Sequence, residues 1–424
     1  MTRSTIRNLR RSPGVDPSVQ SVTELAVLSL HSSPLTQPGT GDSGGMNVYV
    51  RELAASLAQS GVATTVYVRS WDPALPREVA VEPGFRVVHV PAGPAQLTKE
   101  QLPETVDAFT TGVRAELARR PVDVIHANYW LSGVAGHRLK HQLDLPLVST
   151  FHTLARVKAE TGDPEPQRRI EAEAEVIGCS DVILANSVEE VAQLETLYGA
   201  DPKRIEVVPP GVEHAFFSPG DRAGARRALG LGDHPVLLFV GRIQPLKGLP
   251  VAVGALAELR RPDAELVVVG GPSGAEGDAE LRTVLDLADR LGVRHQLRFV
   301  PPQPHHLLST YYRAADVVLV PSRSESFGLV ALEAAACGIP VVAASVGGLR
   351  TLVDHGLTGF LVDQRDPGAF AAAVRSLLAD PLAAAQMGAD AAHRAQRYTW
   401  STAAARLRRV YADLALRSLV DCAA

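Results

Sequence analysis

The chain has 424 residues, 46% of them hydrophobic and 21% charged, with a formal net charge of −4. That length exceeds one ordinary domain and predicts two large ones, each able to bury its own core. There is no basic excess to suit nucleic acid or anionic lipid, and the longest apolar runs are strand-sized, too short to span a membrane. Residues 1–20, rich in Arg, Ser and Pro without an apolar centre, predict a disordered tail and no secretory signal. Cys179, Cys337 and Cys422 lie far apart. They are expected to be separate reduced thiols of a cytoplasmic protein, with neither disulfide nor zinc spacing.

Strand and helix then alternate. Glu24–Leu30 is the first predicted strand, followed by a polar Gly/Pro loop from His31 to Gly45. A helix comes next, with Met46, Val50, Leu53 and Leu57 on one face and Gly61 as its stop. Further strands are predicted at Thr64–Val68, Arg86–Val90, Val122–His126, Leu145–Thr150, Val182–Ala185 and Ile205–Val208. Helices between them include Arg168–Val176 and Val188–Leu197. Pro209-Pro210-Gly211 interrupts the pattern as a linker. Alternation restarts with Val236–Val240, Ala264–Gly270, Leu297–Val300, Asp316–Val320, Val341–Ala344 and Phe360–Val362. This is an α/β chain of two Rossmann-like, doubly wound parallel-sheet domains, residues 21–210 and 211–397. Residues 398–424 add a helix, Trp400–Leu419 with Ser401 as N-cap, which either ends the second domain or packs back on the first.

The chemistry gathers at strand ends. Ser322 to Glu333 follows the strand closed by Pro321 and precedes an alanine-rich helix stopped by Gly338. Free N–H groups near Phe327, Gly328 and Leu329 make an anion site, and Gly328 lets a ligand approach the backbone. Glu325 and Glu333 can both point at that ligand, because side chains lean toward a helix N-terminus. Two such acids suit the hydroxyls of a ribose and a hexose, although this spacing alone more often marks a solvated helix face. Arg242 and Lys247, at the mouth of the strand ending in Val240, are what a departing diphosphate needs.

In the first half, Gly39 to Gly44 spells Gly-x-Gly-x-x-Gly. The first glycine comes about eight residues after its strand, and Arg69 stands where a dinucleotide site wants an acid. A phosphate or sugar loop fits better. His152, at the end of Leu145–Thr150, is a candidate catalytic residue against the plainer reading of a structural histidine. No spacing rule unites Lys99, Tyr129, Thr153 and Arg168. Neither Asp-x-Asp, nor a nucleophile elbow, nor a P-loop is present, so a metal-held diphosphate is not indicated.

Glu325-x7-Glu333, the Arg242…Lys247 loop and the two Rossmann-like halves resemble the retaining family 4 glycosyltransferases of the GT-B fold. The resemblance runs from about Glu24 through nearly the whole chain. The stretches from Gln37-Pro38 through Asp42, Gly45 and Asn47, Asn128-Tyr129-Trp130 and His152-Thr153 narrow it further. They resemble members that move N-acetylglucosamine from UDP-N-acetylglucosamine to 1D-myo-inositol 3-phosphate, the first step of mycothiol synthesis.

The resemblance implies an acceptor-binding first domain and a nucleotide-sugar-binding second domain facing across a cleft. It assigns the acceptor to His31, Asp42, Ser43, Gly44, Gly45, Met46, Asn47, Lys99, Tyr129, Thr153 and Arg168. It assigns the donor to Gln37, Pro38, Gly45, Arg242, Lys247, Gln303, Glu325, Phe327, Gly328, Leu329 and Glu333, with His152 beside the reacting centre. It implies no catalytic cofactor, and a structural Mg²⁺ through the main chain at Tyr312, Arg313 and Ala315, with Ile339 where the family often has Thr. A homodimer is a further expectation. The segment Arg156–Pro166 departs from the pattern of those members, which bears on the acceptor more than on the donor. Other readings of the double sheet are a transferase with another acceptor, a nucleotide-sugar epimerase, an NAD-dependent oxidoreductase and a non-catalytic sugar-binding protein.

Overall fold

The computed structural model describes residues 22–39, 41, 43–163, 165–274 and 276–422. The expected tail at residues 1–20 lies outside them. The first sheet contains β1 (Glu24–Leu28), β2 (Ala63–Arg69), β3 (Glu78–Glu82), β4 (Phe85–Val90), β5 (Val124–Asn128), β6 (Leu147–Thr150), β7 (Val182–Ala185) and β8 (Ile205–Val207). The second contains β9 (Val236–Val240), β10 (Glu265–Val269), β11 (Leu297–Val300), β12 (Val317–Val320), β13 (Val341–Ala344) and β14 (Gly359–Val362). Most of these strands are dominated by aliphatic residues and largely buried, which suits sheets covered by helices on both faces. β3 is the exception and was not expected. It pairs antiparallel with β4 at the sheet edge and is nowhere fully buried, so it lacks the apolar run that marks the others.

Strand order is β3-β4-β2-β1-β5-β6-β7-β8 in the first sheet and β11-β10-β9-β12-β13-β14 in the second. Each sheet therefore reverses its winding once, between β1 and β5 and between β9 and β12. At such a point the flanking loops part and leave a crevice beyond the strand ends.

The chain crosses between the domains twice, at neighbouring places. Val212 N–H donates to the Tyr398 carbonyl at 3.1 Å. Gly211 is packed so closely that a Cβ there would come 2.2 Å from the Trp400 nitrogen. The second crossing leads into the helix Trp400–Leu414, which packs back on the first domain. Its Trp400, Leu407, Tyr411 and Leu414 share one core with Val48, Leu53 and Leu57 of the helix Gly45–Gln59. The helix is capped by Thr399, whose hydroxyl accepts from Thr402 N–H at 3.1 Å, and not by Ser401. It stops at Leu414, short of the expected Leu419.

The cysteine expectation also changes. Cys179 and Cys422, 243 residues apart, are paired as a disulfide with their Cα atoms 5.3 Å from one another, contrary to the expected separate thiols, while Cys337 is buried alone.

Buried His126, on β5, ties the last helix to the first sheet. Its Nδ1 lies 2.9 Å from the Tyr411 hydroxyl and its Nε2 2.9 Å from Thr150 Oγ1. Burial pushes its pKa down to about 3, and burial with the neighbouring His126 does the same for His152, also to about 3. A histidine whose folded pKa is depressed gives stability that is complete above its unfolded value. That stability is lost as pH falls toward the folded one. From about pH 6.5 to pH 5 each of the two should remove about 2 kcal/mol of stability. Denaturant titrations over that range should show the unfolded state taking up protons, with the slope against pH reduced by about one proton in His126→Asn. An unchanged slope would mean that His126 is protonated in the fold.

Candidate active site

Both crevices open into one cleft, a cavity of about 770 Å³ lined from both domains. On the second-domain side, β9 ends at Gly241-Arg242 and turns through Pro245–Lys247, while β12 ends at Pro321 and turns through Ser322–Gly328. Because β9 and β12 are neighbours, their loops touch. Arg323 N–H donates to the Leu246 carbonyl at 2.8 Å, and Lys247 Nζ sits 2.5 Å from Glu325 Oε1. Ser322 Oγ donates to the same oxygen at 2.8 Å.

Gly328 stands at φ +101°, and a Cβ would lie 2.6 Å from Leu349. Only glycine reaches that conformation without strain, so the N-terminus of the helix Leu329–Ala336 opens onto the cavity through this residue. Glu333, 4% exposed, receives the Tyr312 hydroxyl at 2.7 Å and faces His305 Nε2 at 2.7 Å. Burial works against charge on His305, but the Glu333 carboxylate outweighs it and holds the pKa above the usual histidine range.

The loop after β1 reaches across the cleft. Gln37 donates to the Pro302 carbonyl at 2.9 Å, and Ser273 Oγ donates to the Gly41 carbonyl at 2.5 Å. A Cβ on Gly44 would stand 3.2 Å from Arg242 Nε, and one on Gly45 would stand 3.4 Å from Leu329. Pro38, Gly44, Gly45 and Met46 line the cavity, as does Gln303, whose amide bonds the Pro301 carbonyl. Asn47 is buried behind the loop and holds its shape. It accepts from Gly44 N–H at 2.9 Å and donates to Ser32 Oγ and the Ser33 carbonyl. Ser43 is likewise buried, with its hydroxyl on the Thr36 carbonyl at 3.3 Å. Asp42 lies outside the described residues.

On the first-domain side, β5 and β6 end in the two strained residues of the site. Tyr129 has φ +73° and ψ 157°, and His152 has φ +62°. Both side chains face the cavity. Such backbone costs of order 1–3 kcal/mol per residue and persists where the surroundings fix it, commonly at functional sites. Tyr129 is held by its N–H on the Thr150 carbonyl at 2.8 Å and stacks near His31, ring centroids 5.0 Å apart. His152 Nε2 faces Asn128 Oδ1 at 2.9 Å, and its ring meets Tyr49 edge-on at 4.8 Å. Its low pKa makes it a neutral hydrogen-bonding group at neutral pH and no cationic acid.

Lys99 and Thr153 line the same lobe, but Arg168 does not. Its guanidinium donates to the carbonyl of Glu100, itself a lining residue, at 2.9 Å. Its neighbour Arg169 is the guanidinium facing the cavity, over the Tyr129 ring at 5.0 Å and bonded to Thr153 Oγ1 at 3.0 Å. Sequence reasoning missed it, and missed Lys158, Glu165 and Glu190. Arg169 already holds Glu165 and Glu173, each at 2.8 Å, and Lys158 holds Glu165 and Asp163. Burial raises the Glu190 pKa to about 7, against the pull of the Asn186 amide and N–H. Around Tyr312, Arg313, Ala315 and Ile339, a magnesium ion would have to be held by main-chain oxygens. The Tyr312 hydroxyl is bound to Glu333 and the Arg313 guanidinium lies on the Ser218 carbonyl at 2.8 Å, so neither side chain is offered to a cation.

Among the described residues no single helix is long and apolar enough to cross a membrane. The family described as glycosyltransferase family 4 matches residues 43–216, and that described as glycosyl transferases group 1 matches residues 221–394. A D-inositol 3-phosphate glycosyltransferase 2 of Catenulispora acidiphila is 48% identical over 412 residues, 94% of this chain and 95% of its own. A D-inositol 3-phosphate glycosyltransferase of Geodermatophilus obscurus is 50% identical over 370 residues, 84% of this chain and 82% of its own. Among solved structures, a sucrose-phosphate synthase from Thermosynechococcus elongatus matches with a TM-score of 0.87 and 33% identity, covering 92% of this chain and 99% of that one. Anabaena HepE in complex with UDP and glucose matches in fold at a TM-score of 0.75 and 21% identity, covering 92% and 100%. With its two parallel sheets, one cleft and these relatives, the chain belongs to the family 4 glycosyltransferases of the GT-B fold and is a hexosyltransferase.

Proposed function

We propose that this transferase moves N-acetylglucosamine from UDP-N-acetylglucosamine to 1D-myo-inositol 3-phosphate with retention of configuration, as in mycothiol synthesis. The donor half rests on one observation above all. Arg242, Lys247 and the open helix N-terminus at Gly328 converge on one wall of the cleft, where a diphosphate would meet two cations and free N–H groups. As the diphosphate arrives it competes with Glu325 for Lys247, and Glu325 is then released toward the sugar. There its charge supports the positive charge that grows as the anomeric bond loosens. Glu333, clamped by His305 and Tyr312, is positioned for the ribose. The acceptor hydroxyl attacks from the side the phosphate leaves, with the departing phosphate oxygen taking its proton. The loop at Gly39–Gly45 covers this centre and keeps water from hydrolysing the donor.

The acceptor half rests on Lys99, Lys158 and Arg169, three cations lining the cleft together with Tyr129 and Thr153, with Arg169 bonded to Thr153 Oγ1. We assign to Arg169 the phosphate-holding part that the family resemblance implied for Arg168. A second reading has its own support. Asp163, Glu165 and Glu173 already neutralise Lys158 and Arg169, and a lobe so balanced also suits a neutral polyol.

Two measurements test these assignments. Lys247→Ala should lower kcat by about 10²–10³, the effect of losing one preorganised charge donor at the leaving group. A loss under about threefold would remove Lys247 from the reaction. Product mass spectrometry over a panel of nucleotide sugars and acceptors should give at least about 10²-fold preference for inositol 3-phosphate over free inositol. Lys99→Ala should erase at least about tenfold of that preference without changing UDP affinity. Equal use of the two acceptors would overturn the phosphate reading in favour of the neutral polyol, leaving the donor chemistry intact.

A further inference from the structure

Behind the acceptor domain, away from the cleft, two histidines and two cysteines converge. His137 and His141 are one helical turn apart on the helix Trp130–Leu143, Cys179 ends the helix Gln167–Cys179, and Cys422 belongs to the tail beyond the last helix. One donor atom from each lies within 4.8 Å of all the others. His141 Nε2 is 3.1 Å from Cys422 Sγ and 3.4 Å from Cys179 Sγ, and His137 Nε2 is 3.8 Å from Cys422 Sγ. A tetrahedral zinc ion with ordinary Zn–N and Zn–S bonds sets its nitrogen and sulfur ligands about 3.5 Å apart, and the observed separations straddle that value. His137 also presents its other nitrogen, Nδ1, to Glu175 Oε1 at 3.1 Å. A carboxylate there fixes the ring so that Nε2 faces the ligand cluster, the usual support of a metal-bound imidazole.

We propose that His137, His141, Cys179 and Cys422 form a closed Cys₂His₂ site for a soft divalent cation of the zinc class. The site is structural: four protein ligands leave no open position for substrate or water. Binding releases one proton from each thiol, and two thiolates with two neutral imidazoles balance the charge of the cation, which suits a half-buried place. The surroundings are already built to hold it. Lys140 Nζ, buried, donates to the Cys179 carbonyl and to Asp181 Oδ1, each at 2.8 Å, and Asp181 Oδ1 also receives Val420 N–H at 2.6 Å. The metal would therefore pin the chain's tail to the two helices behind the acceptor lobe, independently of the transfer reaction. The structure itself pairs Cys179 and Cys422 as a disulfide, with Cα atoms 5.3 Å apart, so the metal site proposed is that of the reduced chain. A disulfide, however, gives no role to two imidazoles facing the sulfurs, nor to Glu175 behind one of them.

The test is metal content of the full chain, purified under reducing conditions without a metal-affinity tag or chelator and then given zinc. About one equivalent should be retained through gel filtration, and cobalt in its place should give the strong visible bands of a tetrahedral thiolate site. Cys422→Ser and His141→Ala, both near the surface, should each lower retained zinc at least about tenfold. Glu175→Gln, which touches no ligand bond, should weaken zinc affinity about 10–100-fold against a chromogenic chelator. The proposal is overturned if no zinc is retained and Cys179 and Cys422 are recovered as a disulfide. It is overturned equally if Cys422→Ser and His141→Ala hold zinc as well as the unaltered chain.

Discussion

The contact between Lys247 and Glu325 can exist only because β9 and β12 lie side by side, and the donor half of the site depends on that adjacency. The two strands are far apart in sequence, and each brings its polar turn to the same end of the sheet. A different strand order would separate Lys247, which we assign to the diphosphate, from Glu325, which we assign to the sugar. The reversal of winding between these strands also opens the crevice in which both stand. The first sheet repeats the device between β1 and β5, whose loops supply the cleft-covering glycines and Tyr129. Catalytic geometry here follows from two topological facts, and the loops decorate them.

The two halves hold their side chains by different means. In the second domain the carboxylates are fixed by partners: Glu325 by Lys247 and Ser322, Glu333 by His305 and Tyr312. In the first domain the backbone itself is bent, with Tyr129 and His152 driven to positive φ at the ends of adjacent strands. The bends turn these two side chains out of the sheet's alternation and into the cleft. A rigid floor under the acceptor follows from the main chain as much as from hydrogen bonds.

Much of this was legible in the sequence. Buried parallel strands announce themselves as short aliphatic runs, and the polar residues that follow them mark the crevice. β3 was illegible because an exposed edge strand needs no apolar run. Arg168 came from the family resemblance; adjacent residues on a helix point about 100° apart, and in this structure it is Arg169 that lines the cavity. The signal was available: the buried set Arg169, Glu173, Val176 and Ile177 follows the i, i+4, i+7, i+8 rhythm, and the two aliphatic residues alone fix its phase. The meeting of Cys179 with Cys422 had no local signature. Glu165 and Asp163, which balance the cations of the acceptor lobe, fall in the segment whose sequence departs from the family pattern, and pattern alone could not say what the departure does.

The return of the last helix to the first domain makes the chain's order of completion the reverse of its order of synthesis. The helix Gly45–Gln59 emerges early, yet the face it shares with Trp400, Leu407, Tyr411 and Leu414 stays open until those residues have been made. The second domain is contiguous between the two crossings and can close first, even though it is translated later. During synthesis the first domain must therefore wait with an apolar face exposed. A ribosome stalled anywhere between the crossings presents that face to chaperones, and a chain truncated before Trp400 would never cover it.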